Sequence, residues 1–282
     1  MSPKTKKLVV KVLTYAILIY IACLLCYPLV WMFFASSKTN AEIYTGINLL
    51  PETFTLDGFL NGWRGAAGHT YSTFFINSLI LVVPTTLLTV ISSALVAYGF
   101  ARFEFRGKKI LFTLLLATLM LPNAILIIPR YAIFRDLDVL DSYYPFYLMA
   151  AFACYPFFTY MLVQFMRGLP KDLDEAARID GCGSFRTLFS ILLPLLKPAL
   201  FSAGLFQFLW TYNDYFNSLI YISSMRKYTV SLALRMTMDS ESTVAWNGIM
   251  AMSTLAVIPV ILLFFFTQKY FVEGIATTGL KS

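Results

Sequence analysis

Few residues in this 282-residue chain have the types and spacing that chemistry requires. Cys23 and Cys26 have the C-x-x-C spacing of redox and metal sites, but they lie in a long apolar run with no second pair. His69 is the only histidine, so a histidine triad or proton relay is excluded. The sequence has no phosphate-binding loop of the form G-x-x-x-x-G-K-[ST]. We therefore expect neither a metal site nor ATP hydrolysis by this chain.

One polar segment, 170–181, has a pattern that predicts a defined local structure. Pro170 suits a first helical turn, and Asp172 is expected to cap that turn or to place an acid in it. Residues 175–179 favour a helix, and Gly181 suits a left-handed C-terminal stop. A helix of two or three turns is too short to be stable alone in water, so it needs a surface to pack on. The alternative is an ordinary polar connection between two membrane helices.

The chain is hydrophobic, with a mean hydropathy of +0.71, and its charges are clustered between long uncharged runs. Such runs are long enough to cross a bilayer, which needs about 20 apolar residues. The predicted fold class is an all-α membrane protein, a polytopic bundle of six transmembrane helices joined in part by a polar helical segment. The six spans are expected at about 12–35, 74–101, 110–129, 143–166, 198–221 and 246–267.

Lys and Arg residues predict the orientation of these spans. Of the 22 basic residues, 15 lie in the segments that share a side with the N-terminus, and 7 lie on the other side. Both termini and the segment 170–181 are therefore expected in the cytoplasm. The net charge of +7 reflects this topology, and no nucleic-acid partner is expected. The expected organisation is a cytoplasmic N-terminus (1–11), a transmembrane domain (12–267) that includes a cytoplasmic loop at 167–197, and a cytoplasmic tail (268–282).

Four residues at membrane depth are candidates for a solute path. Buried amides are costly unless they are paired, so Asn123, Gln207 and Asn213 should face protein or a wet cavity. Trp210 adds an aromatic face of the kind that stacks on sugar rings. The alternative for each is helix packing or a place in the interfacial aromatic belt.

The segment 175–198 resembles the cytoplasmic "EAA" signature of ABC-importer permeases, in the spacing of the sugar-importer branch. The residues that carry the resemblance are Glu175, Ala176, Ala177, Asp180, Gly181, Phe185, Ile191, Pro194 and Pro198. Cys182 stands where alanine is usual, and both residues are small. The stretch 210–214 also resembles a W-x-W-N-D/E motif of that branch, with Tyr212 as the second aromatic residue. The ending 268–281 resembles the branch's C-terminal pattern.

The resemblance implies one half of a permease heterodimer in a bacterial cytoplasmic membrane. Its partners would be a sister permease, two cytoplasmic ATPases that bind ATP and Mg, an extracellular solute-binding protein, and the lipid bilayer. The solute would be an oligosaccharide sugar or a related polar compound, and no cofactor is implied in this chain. The runner-up is an ion-gradient-driven secondary carrier or a channel. The middles of the spans lack acidic residues, which counts against it.

The resemblance also implies roles for particular residues. The ATPase-coupling residues would be Glu175, Ala176, Ala177, Asp180 and Gly181. In the tail, Thr277, Thr278, Gly279 and Lys281 would contact the ATPases. The alternative is a frayed tail, in which Gly274 and Gly279 break any long helix.

Overall fold

The computed structural model describes residues 3–46, 48–65, 68–240 and 245–279, without the side chains of 3–4, 239–240 and 270–279. Within these ranges the regular elements are helices. They are α1 (Pro3–Ala35), α2 (Asn40–Thr45), α3 (Asp57–Trp63), α4 (Tyr71–Arg102), α5 (Lys108–Leu119), α6 (Asn123–Asp136), α7 (Tyr144–Ala151), α8 (Pro156–Arg167), α9 (Asp172–Ile179), α10 (Ser184–Thr187), a π turn (Leu188–Leu192), α11 (Leu193–Leu195), α12 (Lys197–Tyr212), α13 (Tyr215–Tyr221), a 3-10 turn (Met225–Lys227), α14 (Val230–Ser240) and α15 (Trp246–Gly279).

The predicted number of spans agrees with the upper count that these helices allow. Four stretches of the described chain are long and apolar enough to cross a membrane without a sharp bend, namely Thr5–Ala35, Tyr71–Arg102, Tyr144–Arg167 and Trp246–Lys269. Two further candidates are bent pairs: α5 with α6 at 108°, and Ser184–Leu195 with α12 at 80°. If each bent pair is one span, the total is six.

The third span is broken where the sequence predicted a continuous helix over 110–129. The chain bends between Leu119 and Asn123, and Pro122 has an extended conformation there. A proline lacks a backbone N–H, and the residue before it avoids the helical region, which explains the break. Pro156 acts in the same way by starting α8. Pro84 and Pro259, in contrast, lie inside continuous helices.

The fifth span also differs from the continuous helix expected over 198–221. α12 ends at Tyr212, and α13 begins at Tyr215, after two intervening residues. The Asp214 carboxylate accepts the backbone N–H of Asn217 at 3.0 Å and so caps the new helix. A capping residue inside an apolar run thus starts a new helix where hydrophobicity alone predicts one continuous helix.

The chain divides into two compact units. One comprises residues 1–71 and 234–258, and the other comprises 72–233 and 259–282. In the first unit, α3 lies directly on the start of α15. A Cβ atom on Gly58 would come within 2.7 Å of the carbonyl oxygen of Asn247, and one on Gly62 within 3.0 Å of that of Gly248. These two glycines are required by the close approach of the backbones.

The second unit has a core of tightly packed helix faces. The largest cluster joins the second half of α4 to α8 and to the segment around the π turn, through Ala97, Leu162, Met166, Leu188 and Leu192. All five residues are at most 1% exposed. The second half of α4 and the region that follows α9 are therefore parts of one packed body.

α15 continues as a helix to Gly279. The expectation that Gly274 would break a long helix was wrong for the backbone. Glycine costs a helix about 1 kcal/mol relative to alanine, which one position does not suffice to terminate. The side chains of Thr277 and Thr278, and all of Lys281, lie outside the described residues.

Candidate functional site: the coupling segment and a polar chain at two helix breaks

The coupling segment contains a two-turn helix, α9, with the predicted stop. Its start differs from the prediction, because the helix begins at Asp172 and Pro170 lies before it. Asp172, Asp174 and Glu175 lie in its first turn, where negative charges interact favourably with the helix dipole. Asp172 is therefore a first-turn acid, and no side chain caps the helix. Gly181 has φ +75°, in the left-handed region. Its N–H bonds Arg178 O at 3.0 Å, and the N–H of Cys182 bonds Ala177 O at 2.8 Å, which is a Schellman motif.

The five predicted coupling residues divide between two faces of this helix. Ala177 is 1% exposed and packs inward. Glu175, Ala176, Asp180 and Gly181 are exposed. The exposed face also carries a large apolar side chain, because Ile179 is 87% exposed. The helix therefore presents both charge and apolar area outward while one small residue fits against its own chain.

The end of α4 holds the coupling segment at three points. The guanidinium of Arg102 pairs with the carboxylate of Asp174 at 3.1 Å, and the same side chain donates to Leu169 O at 3.2 Å. One turn earlier, the Tyr98 hydroxyl donates to Ser184 O at 3.1 Å. These contacts fall before, within and after α9. Sequence reasoning missed Tyr98 and Arg102, although Arg102 is the first charge after the uncharged run that ends at 101.

A chain of four polar side chains joins the breaks in the third and fifth spans. Arg130 donates to Asn123 Oδ1 at 2.8 Å, and Asn123 Nδ2 lies 3.4 Å from Asn217 Oδ1. Asn217 Nδ2 in turn donates to Asp214 Oδ2 at 2.7 Å. Donors and acceptors thus run in one direction from a cation to an anion. Of the four predicted solute-path residues, only Asn123 belongs to this hydrogen-bonded series of side chains.

The other three predicted solute-path residues have different surroundings. Gln207 is 1% exposed and donates to the hydroxyl of Thr211 at 2.8 Å. Trp210 is half exposed and lies 5.1 Å from the ring of Phe158. The Asn213 side chain bonds Leu209 O at 2.9 Å, one turn back in α12. The structure therefore does not bring these residues together into one site.

Asp141 ties together two loops that are far apart in sequence. Its carboxylate accepts the backbone N–H groups of Ser223 and Ser224 at 3.0 and 2.8 Å and the Ser224 hydroxyl at 2.6 Å, and it pairs with Lys227 at 3.0 Å. Burial alone would raise the pKa of Asp141, but these bonds hold that pKa well below its usual range. Lys227 also bonds the backbone carbonyl of Asp141. The loop around 223–227 is therefore fixed by a carboxylate that stays ionised.

Metal chemistry has no geometric support in the part of the chain that the structure describes. No group of three or more His, Cys, Asp or Glu side chains there is arranged to hold an ion. Cys23 and Cys26 are free, as are Cys154 and Cys182. The C-x-x-C spacing is therefore a feature of one exposed face of α1.

These features together define a class of protein. A polytopic helical bundle with broken spans and a short helix exposed outside them is an architecture found in transport permeases. Residues 90–277 match the model of the family described as "Binding-protein-dependent transport system inner membrane component". The chain belongs to this family, and it is a multi-pass protein of the cytoplasmic membrane.

Known relatives resemble the chain over most of its length. It is 33% identical to a probable ABC transporter permease protein, YurM, of Bacillus subtilis, over 91% of this chain and 84% of that protein. It is 31% identical to the arabinooligosaccharides transport system permease protein AraQ of Bacillus subtilis, over 93% and 92% of the two chains. It is also 31% identical to the trehalose/maltose transport system permease protein MalG of Thermococcus litoralis, over 94% of each.

A solved structure shares the fold. It is a chain of a bacterial ABC transporter involved in the import of the acidic polysaccharide alginate. The TM-score is 0.83 at 21% identity, with 96% of this chain and 99% of that chain covered. The family and its relatives support a permease of an ABC importer over the ion-gradient carrier or channel that the sequence left as the alternative.

Proposed function

We propose that the chain is one of two membrane-spanning subunits of an ATP-driven, binding-protein-dependent importer of oligosaccharides or related polar solutes. The relatives named above, which carry arabinooligosaccharides and trehalose or maltose, support this solute class. The sister subunit forms the other half of the pathway. Two cytoplasmic ATPases bind ATP and Mg and supply the energy, and an external binding protein delivers the solute.

The single observation that carries the coupling role is the division of α9 into two faces. Ala177 and Asp174 hold the helix to its own chain, so the helix moves with the spans. Glu175, Ala176 and Ile179 face outward. An exposed apolar side chain such as that of Ile179 stabilises a complex when a partner covers it. An ATPase that docks on this face can therefore push or pull the bundle. Asp180 and Gly181 complete the docking surface at the end of the helix.

The polar chain at the two helix breaks is the part of the proposed solute path that the described contacts support best. Amides and charges at membrane depth are costly, and in transporters they mark pathways. Asn123 is exposed while its amide is held in one orientation by Arg130. An amide fixed in this way can bind a solute hydroxyl with little loss of entropy. Trp210 and Asn213, both exposed, are retained as path residues, whereas buried Gln207 acts through Thr211.

The proposed role of the tail completes the assignment. Thr277, Thr278, Gly279 and Lys281, at the C-terminal end of the chain, contact the ATPase pair. Support comes from the resemblance of the ending to that of sugar-importer permeases. Deletion of residues 275–282 is expected to lower ATP-coupled uptake and to leave membrane insertion intact. Normal uptake by the deletion variant would remove the tail from the coupling machinery.

Site-directed cross-linking tests the docking of the ATPases. A cysteine at Ile179, in a variant without the four native cysteines, should cross-link to an ATPase subunit through a short bifunctional reagent. A cysteine at Lys11, exposed near the start of α1 and on the same side by the charge rule, is the matched control. Equal yields at both positions, or no adduct at Ile179, would count against the assigned docking face.

A further inference from the structure

We propose that α4 is the transmission element of this permease, because its one end grips the coupling segment and its other end grips the loop 223–230. Movement of α9 by the ATPases would then reach the far side of the membrane through this one helix. The inference rests on the proposed coupling function. It assigns positioning roles to residues outside the coupling motif, namely Asn77, Ser78, Tyr98, Arg102 and Tyr147.

The grip at the coupling end is built from one face of α4. Tyr98 and Arg102 are four residues apart, so their side chains lie on the same side of the helix. Together they bind the backbone before α9, the Asp174 carboxylate within it, and the backbone after it. A segment held at three points by one helix face cannot slide along that face without losing all three contacts. The coupling segment and the end of α4 are therefore expected to move together.

Burial makes the central contact of this grip difficult to break. The side chains of Arg102 and Asp174 are 6% and 17% exposed. Separating such a pair leaves a charge with little water around it, which is far more costly than separating an exposed pair. In a neighbouring pair only one member is buried, since Lys108 and Glu104 lie 2.8 Å apart with side chains 15% and 87% exposed. Only the buried pair can transmit force reliably.

The grip at the far end binds backbone atoms. Asn77 Nδ2 donates to Arg226 O at 2.7 Å and to Tyr228 O at 3.0 Å. The next residue, Ser78, accepts the N–H of Val230 at 2.9 Å and is 1% exposed. The loop that starts at Ser223 is thus attached to α4 at three backbone positions. The loop is also hydrogen-bonded to Asp141, so its position relative to this end of α4 is fixed.

Between its two ends, α4 is stabilised at Pro84 by a hydrogen bond from a neighbouring helix. Ser78 and Arg102 are 24 residues apart, which corresponds to about 36 Å of helix. Pro84 lies between them and cannot donate to Ile80 O, as the regular helix pattern requires. The Tyr147 hydroxyl donates to that carbonyl instead. The proline therefore leaves no unpaired carbonyl at this point, and α4 can act as one body.

Accessibility measurements on the assembled transporter test this inference without knowledge of the solute. The transporter contains this chain, its sister permease and the ATPases, with the native cysteines replaced and Ser223→Cys introduced in the exposed part of the loop. The rate of reaction with a membrane-impermeant maleimide is measured without nucleotide and after trapping with ATP and vanadate. In the otherwise unaltered protein we expect the rate to differ between the two states.

The same measurement is then made with the grip altered. Arg102→Gln and Asp174→Asn should each reduce the nucleotide-dependent change about tenfold, within the usual range of coupling energies, while vanadate trapping persists. The charge exchange Arg102→Asp with Asp174→Arg should restore most of the change, which also covers the case that a single variant fails to assemble. Glu104→Gln, which alters the exposed member of the neighbouring pair, should leave the change as it was.

The outcomes separate the two proposals. If the unaltered transporter assembles with ATPases and traps nucleotide but Ser223→Cys shows no change, α4 does not transmit to this loop. If the change persists in Arg102→Gln, or if the charge exchange fails to restore it, the grip is not the link. If no ATPase assembles or hydrolyses ATP with the unaltered chain, the proposed function fails before the inference is reached.

Discussion

The hydroxyl of Tyr147 in α7 donates to the carbonyl oxygen of Ile80 in α4, which Pro84 leaves without its regular helical donor. The tyrosine accounts for the proline being tolerated, and the free carbonyl accounts for the tyrosine hydroxyl. A proline is tolerated in a long helix when a neighbouring side chain satisfies the carbonyl it exposes. A tyrosine hydroxyl in an apolar setting needs a partner, and this carbonyl is available.

This relationship predicts a coupled effect of two substitutions. Tyr147→Phe should lower the free energy of unfolding by about 1 kcal/mol, because Ile80 O loses its donor. In a Pro84→Ala background residue 84 regains its N–H and can bond Ile80 O, so Tyr147→Phe should then cost much less. Thermal unfolding of the four purified proteins in detergent measures the interaction. Additive effects of the two substitutions would contradict this explanation of the proline.

Asp141 is predicted to stabilise the protein as an ionised carboxylate. Asp141→Asn should destabilise it by about 2 kcal/mol at neutral pH, since it weakens several hydrogen bonds to a charged acceptor. Asp136→Asn is the matched control, because its pair with Arg135 is largely exposed and should contribute little. Thermal unfolding again measures both, and equal losses would show that Asp141 is no more than a surface acid.

The pH dependence of this difference follows from the depressed pKa of Asp141. A carboxylate with a lower pKa in the folded state stabilises the fold above its unfolded pKa and loses that contribution as pH falls through the folded pKa. The stability difference between wild type and Asp141→Asn should therefore be constant near neutral pH and shrink only in strong acid. A difference that disappears already at about pH 6 would contradict the sign and the cause of the shift.

Gly181 and Glu175 are predicted to be required for coupling rather than for folding of the bundle. Gly181→Pro removes the N–H that bonds Arg178 O and excludes the positive φ of this position, so it should deform the end of α9. Glu175→Lys reverses a charge on the exposed face. Both variants should insert normally while ATP hydrolysis no longer drives uptake. Uptake at the wild-type rate would contradict the coupling assignment, and Glu104→Gln serves as an exposed acid-to-amide control.

The orientation of the chain is open to a labelling test in intact cells. Single cysteines at Asn61, which is exposed and next to Gly62, and at Ser240 should react with an impermeant maleimide added outside. Cysteines at Lys108 and Asp172, which lie on the basic side, should react only after the membrane is opened. Reaction at Asp172 in sealed cells would reverse the topology and remove the coupling segment from the reach of cytoplasmic ATPases.

Local signals in the sequence predicted some features of the structure well. Gly181 was predicted correctly because a left-handed helix stop favours glycine. The coupling role of Glu175, which the dense motif indicated, stays a prediction. The long apolar runs predicted the number of spans because each has to cross about 30 Å of hydrocarbon. The break near Asp214 was missed because hydropathy does not register a local loss of helix.

Long-range pairings could not be predicted in the same way. Arg102 and Asp174 are separated by 72 residues, and neither has a distinctive neighbour in sequence. The link between Asn123 and Asn217 depends on two helix breaks that were themselves not predicted. Asn213 and Gln207 matched the expectation of polar residues at depth, but each binds its own helix turn. Polarity alone does not tell which way a side chain faces.

The central claim is that the energy for transport comes from ATPases that act through this permease. The most direct measurement is solute uptake into proteoliposomes that contain the permease pair and the ATPases, with the binding protein added outside. The account predicts uptake that requires ATP inside, that is unchanged when ionophores collapse proton and sodium gradients, and that is lost in Glu175→Lys. Uptake that follows an imposed ion gradient without ATP or ATPases would contradict it.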